Sequence, residues 1–74
     1  MGRLAGFTYA DVAAKMRRAG FKFDRRAKGN HEIWRNPVNR RRTMVPHGRG
    51  DIPEGTLRAI VKQAGLSVDE FLRL

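Results

Sequence analysis

Seventy-four residues make one small domain, with sixteen Lys and Arg against seven Asp and Glu and a net charge of +9. A domain of this size buries only about 60% of the surface its unfolded chain exposes, which excludes a deep-clefted enzyme and any fold of two layered sheets. With no cysteine, neither a disulfide framework nor a Cys-ligated zinc supplies the missing stability.

Residues 1–7 show no periodicity and read as a loose leader, with a single domain expected over 8–74. Thr8-Tyr9-Ala10-Asp11 has the form of a capping box, in which two side chains satisfy the free N–H groups of a first helical turn. Val12, Met16 and Ala19 follow at helical spacing, predicting a helix over 9–19 that Gly20 ends in the left-handed conformation. The period then changes to two. Phe21-Lys22-Phe23-Asp24-Arg25 alternates as a half-buried strand does, and Ala27-Lys28-Gly29-Asn30 is a turn.

His31-Glu32-Ile33-Trp34-Arg35 is the second strand, Asn36-Pro37-Val38-Asn39 the next turn, and Arg41-Arg42-Thr43-Met44-Val45 the third strand, ended by Pro46. Short turns imply an antiparallel meander. His47 to Asp51 reads as a flexible link, with Asp51 or a neighbour capping a second helix and Pro53 near its first residue. Leu57, Ile60, Val61 and Ala64 form that helix's apolar stripe. Gly65 ends it. Ser67-Val68-Asp69-Glu70 is a second capping box, opening a short helix that packs through Val68, Phe71 and Leu72. The expected fold is α+β: α-β-β-β-α with a three-stranded antiparallel sheet, two helices on one face, and a short C-terminal helix. That order is double-stranded-RNA-binding-like, a class that reads A-form shape through phosphate and 2′-hydroxyl contacts.

The charge is concentrated. Residues 25–49 hold eight of the sixteen cations and only one acid, Glu32. A polyanion is the partner that such a face suits, whether nucleic acid or an acidic protein. No apolar run approaches the roughly 20 residues of a membrane span, the N-terminus does not read as a signal peptide, and the lack of cysteine fits a cytoplasmic location. Two His, no Cys and scattered acids give no metal-ligand spacing, so no metal or other cofactor is expected.

His31 and His47 are the only histidines, the residue type best suited to move protons near neutral pH. On a basic face carrying RNA, His31 takes a proton from a 2′-hydroxyl or gives one to a leaving 5′-oxygen. The alternative is a surface histidine beside a turn. His47 reads either as a phosphate-contacting or second acid–base group, or as an exposed loop residue. Trp34 reads as a base-stacking aromatic or as part of a small core. Strict alternation puts His31, Ile33 and Arg35 on one face and Glu32, Trp34 and Asn36 on the other. Apolar residues on both leave the core side undecided.

Gly20-Phe21, Lys28-Gly29-Asn30-His31-Glu32-Ile33-Trp34, Val45-Pro46-His47 and the stretch from Gly55-Thr56-Leu57-Arg58 to Gln63-Ala64-Gly65-Leu66-Ser67 together resemble the HicA toxin family. The likeness runs from about Thr8 to Ser67. It implies a small mRNA interferase with a double-stranded-RNA-binding-like fold, which cleaves mRNA without metal and is held inactive by a HicB-type antitoxin. It implies that His31 is catalytic, in the position of the His of a Gly-Ser-His segment, with Lys28 and Gly29 shaping its site. Asn30 stands where the family most often has Ser, and keeps a hydrogen-bonding side chain suited to a turn. Arg25, Arg26, Arg41, Arg42 and His47 complete the expected RNA-binding set with Lys28, Gly29 and Asn30. A non-catalytic RNA-binding module of the same fold is the alternative.

Overall fold

The computed structural model describes residues 2–74. Helix α1 spans Tyr9–Arg18, opened by the Thr8–Asp11 capping box in both directions and closed at Ala19. Gly20 follows with φ +96°, the left-handed conformation that glycine adopts without a Cβ penalty. Strands β1 (Lys22–Arg26), β2 (His31–Arg35) and β3 (Arg42–Pro46) form an antiparallel sheet in the order β1-β2-β3. Helix α2 covers Glu54–Gln63 and α3 covers Val68–Leu72, the latter opened by the Ser67–Glu70 capping box.

The alternation in β2 now has a direction. Glu32, Trp34 and Asn36 are buried, so the face carrying Trp34 meets the helices and the face carrying His31 is open. On β3, Thr43 and Val45 are buried beside them while Met44 is exposed. Val12 and Met16 of α1 and Leu57, Ile60 and Val61 of α2 cover this inner face, and Phe71 closes one end. Helix α2 also runs along the free edge of β3: the Thr43 hydroxyl lies 3.1 Å from the Ile60 carbonyl oxygen. The Met44 N–H donates to Gln63 Oε1 over 3.3 Å. An edge N–H that the sheet leaves unpaired is thereby satisfied.

Four expectations change. The leader is not loose: Leu4 is fully buried, Phe7 packs edge-on to Phe71 with ring centroids 5.4 Å apart, and the Ile52 N–H donates to the Phe7 carbonyl. A core this thin takes apolar side chains from wherever the chain passes. β1 is not half-buried; all five of its residues are exposed. It is an edge strand with an irregularity between Phe23 and Arg25, and Phe21, just before it, is the residue that enters the core. Asp51 does not cap α2. It makes an isolated bridge with Thr8, and Pro53 occupies the N-cap position with no side-chain cap. The segment after Pro46 is held rather than free, because the His47 N–H donates to the Asn30 carbonyl over 2.6 Å.

Candidate functional site on the open face of the sheet

The turn before β2 is closed by the Ala27 N–H donating to the His31 carbonyl over 2.7 Å. Gly29 at its tip has φ +69° and nothing within 4 Å of the position a Cβ would take. Its absent side chain therefore serves the backbone conformation rather than a packing need. Lys28, Gly29 and Asn30 are all exposed at this tip. His31 is the first residue of β2, paired with Pro46 of β3; its carbonyl accepts from Ala27, and the carbonyl of Asn30 just before it accepts from His47.

The His31 side chain is exposed and lines a cavity of about 170 Å³ with Pro46, Thr56 and Gln63. Beside it lies a groove of about 330 Å³ lined by Arg25, Ile33, Arg42, Met44 and Gln63. Met44 and Gln63 line both. No carboxylate lines either one. A surface of this kind attracts anions, and an imidazole within it has access to solvent protons.

The sequence-derived residues separate into groups. Arg25 lies opposite Ile33, and Arg42 opposite Arg35, so both belong with the groove. Arg42 stands four pairing positions from the His31–Pro46 pair, or about 13 Å along the strand. Arg41 lies just beyond the strand, still farther from His31. Arg26 pairs with Glu32, and its guanidinium comes within 3.9 Å of that carboxylate, so it leans toward the other face. Lys28, Gly29 and Asn30 adjoin His31 through the turn.

His47 does not join His31. Its Nδ1 is 3.0 Å from Glu32 Oε2 and its ring stacks on Tyr9 at 4.0 Å between centroids, placing it against the inner-face carboxylate. Glu32 is the centre of this second cluster, which sequence reasoning missed. Tyr9 Oη donates to its Oε1 over 2.7 Å, and Trp34 Nε1 donates to the same oxygen over 3.1 Å. Burial works to raise the Glu32 pKa, but the bonds from Tyr9, Trp34 and His47 outweigh it and the net shift is downward. Burial also raises the Tyr9 pKa, and its bond to Glu32 adds to that. The available signal was Glu32 itself, the one acid among eight cations in residues 25–49. Trp34 proves to be core: it is buried, with the Arg17 guanidinium 5.1 Å from its ring centroid. Among the described residues no three His, Cys, Asp or Glu lie close enough to hold a metal ion.

A family model described as HicA toxin of bacterial toxin-antitoxin matches residues 9–66. The chain belongs to the HicA toxin family. The match begins at the first residue of α1 and takes in the whole sheet, His31 and α2. Membership gives the chain the toxin role of a toxin–antitoxin pair, a family of small proteins that generally act as ribonucleases. No curated protein matches the chain significantly. No described helix of this HicA-family chain is long and apolar enough to cross a membrane.

Proposed function

We propose that this HicA-family toxin is an mRNA interferase, a metal-independent endoribonuclease in which His31 carries a proton during cleavage. The observation that carries this reading is the exposed His31 imidazole at the head of β2, in a cavity lined by no carboxylate on the cation-bearing face. A single-stranded stretch of mRNA lies along that face, its phosphates near Arg25, Arg42 and Lys28. The 2′-hydroxyl attacks the adjacent phosphorus and the bond to the 5′-oxygen breaks. The products are a 2′,3′-cyclic phosphate and a free 5′-hydroxyl. His31 removes the proton from the 2′-hydroxyl or supplies one to the departing 5′-oxygen, and water or a lysine carries the other proton. The cations offset the charge that develops on the phosphorane oxygens. Because proton transfer and charge neutralisation both fall to side chains, the reaction needs no metal.

His47 is a poor second acid–base group for this reaction, since its contacts with Glu32 and Tyr9 hold it against the inner face. A positioned acid or base contributes about 10²–10⁴-fold, so a single histidine suits a slow nuclease. Lys28, Gly29 and Asn30 hold the turn and its phosphate contacts beside His31. The antitoxin partner is a HicB-type protein whose acidic surface covers the same cations, and the substrate places the work in the cytoplasm.

The test is cleavage of RNA by purified protein in EDTA, beside His31→Ala at equal concentration. Loss of cutting in the variant alone, by about 10²-fold or more, with growth arrest lost in cells, supports the reading. Equal cutting by both proteins overturns the assignment of His31. Binding without cutting by the unaltered protein makes the chain an RNA-binding module instead.

A further inference from the structure

Gln63 is the last residue of α2 and borders both the groove and the His31 cavity. Its carboxamide orientation follows from its neighbours. The atom 3.3 Å from the Met44 nitrogen faces a backbone N–H, which only donates, so that atom is the carbonyl oxygen. The Thr43 hydroxyl, 3.2 Å away, approaches the same oxygen. The side-chain oxygen is thus used at the edge of β3, and the Nε2 amide group has no protein partner among the described residues. Gln63 is accordingly a pre-oriented donor of two N–H groups beside apolar side chains, cations, His31 and the threonines Thr43 and Thr56.

The groove beside it has the size and composition for one base. Its volume of about 330 Å³ sits at the low end of the roughly 300–1,000 Å³ typical of small-ligand sites. Ile33 and Met44, the latter 40% exposed, give an apolar floor, while Arg42 and Arg25, the latter paired with Asp24, line it as cations. Unstacked bases of single-stranded RNA are held in this way, with a face on an apolar surface and an edge on hydrogen-bonding side chains. A neutral amide suits the base edge, because guanidinium groups take the phosphates more strongly.

We propose that this groove is a nucleobase subsite for the RNA strand, and that the Gln63 Nε2 group donates to an acceptor on the edge of the seated base. The inference rests on the ribonuclease reading and adds a substrate contact beside the nucleotide that meets His31. Gln63 is then a positioning and specificity residue, separate from the proton carrier.

The experiment measures binding, so that it does not depend on cleavage. In a His31→Ala background, fluorescence anisotropy compares labelled oligouridine, oligocytidine and oligoadenosine with an abasic ribose-phosphate oligomer of equal length. Gln63→Met is expected to weaken binding of at least one base-bearing oligomer by about two- to tenfold, the worth of one hydrogen bond, and to leave the abasic oligomer unchanged. Gln63→Glu retains an oxygen for the Met44 N–H but removes the donor. It is expected to weaken the same base-bearing oligomer more than the abasic one, with little change in thermal unfolding. Equal losses on abasic and base-bearing oligomers, or no loss on any, overturn the subsite and leave Gln63 as a cap on the edge of β3. Failure to bind any RNA oligomer overturns it as well. Selective binding by a protein whose unaltered form never cuts RNA sinks the nuclease reading and keeps the subsite.

Discussion

Glu32 keeps a negative charge at 4% exposure, where desolvation alone favours the neutral acid. Three hydrogen bonds hold it ionised: from Tyr9 on α1, from Trp34 on its own strand, and from His47 after β3. Replacing Glu32 by Ala leaves the Tyr9 hydroxyl and the Trp34 N–H without their acceptor. A loss of about 3 kcal/mol in urea unfolding is expected. The Glu32 pKa is lowered on folding, so its stabilisation is complete above the ordinary carboxyl value of about 4.3 and is lost as pH falls through the lower folded value. The stability gap between the unaltered protein and Glu32→Gln should therefore narrow from pH 7 to about pH 3. Asp11 and Glu70 also titrate low, through the cap bonds from Thr8 and Ser67. Their contribution is common to both proteins and cancels in the comparison. Which side chains would meet around Glu32 was not legible in the sequence, because Tyr9 and His47 reach it only through tertiary packing.

At the scale of elements, the N-terminal segment works as a packing element although it forms neither helix nor strand. Leu4 is fully buried among the helices, and Leu4→Ala is expected to cost about 2–4 kcal/mol in denaturant unfolding. A free leader would give no change. The turn between β2 and β3 holds a second test. Arg40 has φ +63°, a conformation that costs a residue bearing a Cβ about 1–2 kcal/mol. Arg40→Gly should raise the unfolding midpoint or leave it level, since glycine relieves the strain while adding freedom to the unfolded chain. The capping boxes at Thr8 and Ser67 were legible because a cap is a local device spanning four residues. The start of α2 near Pro53 was legible too, but its lack of a side-chain cap was not, since Asp51 is drawn into a bridge with Thr8 from the other end of the chain.

For the whole molecule, the sheet divides its charge between two faces. The open face presents Arg25, Arg35 and Arg42 around Ile33 and Met44, while Glu32, the one acid of residues 25–49, faces inward and the exposed Asp24 of β1 pairs with Arg25 over 3.0 Å. RNA binding is therefore expected to weaken steeply with salt, by about 0.7 in log K per log unit of salt for each phosphate neutralised on a single strand. Arg42→Ala should lower the slope by about that amount, measured by titration at several salt concentrations, and Arg25→Ala by less, because its guanidinium is paired with Asp24 over 3.0 Å. Arg26→Ala should change it less, because its guanidinium leans toward Glu32.

The sequence alone determined the elements and their order, since helical and strand periods, caps and left-handed glycines are read over a few neighbouring residues. It also marked the Lys28–His31 segment, whose motif is continuous in the chain. Tertiary structure decided which face of β2 is core, that Leu4 belongs to that core, and that His31 and His47 lie apart. It also brought Gln63 to the cavity of His31, thirty-two positions away along the chain. Each of these depends on which surfaces the helices cover, a property of the packed whole that no local pattern encodes.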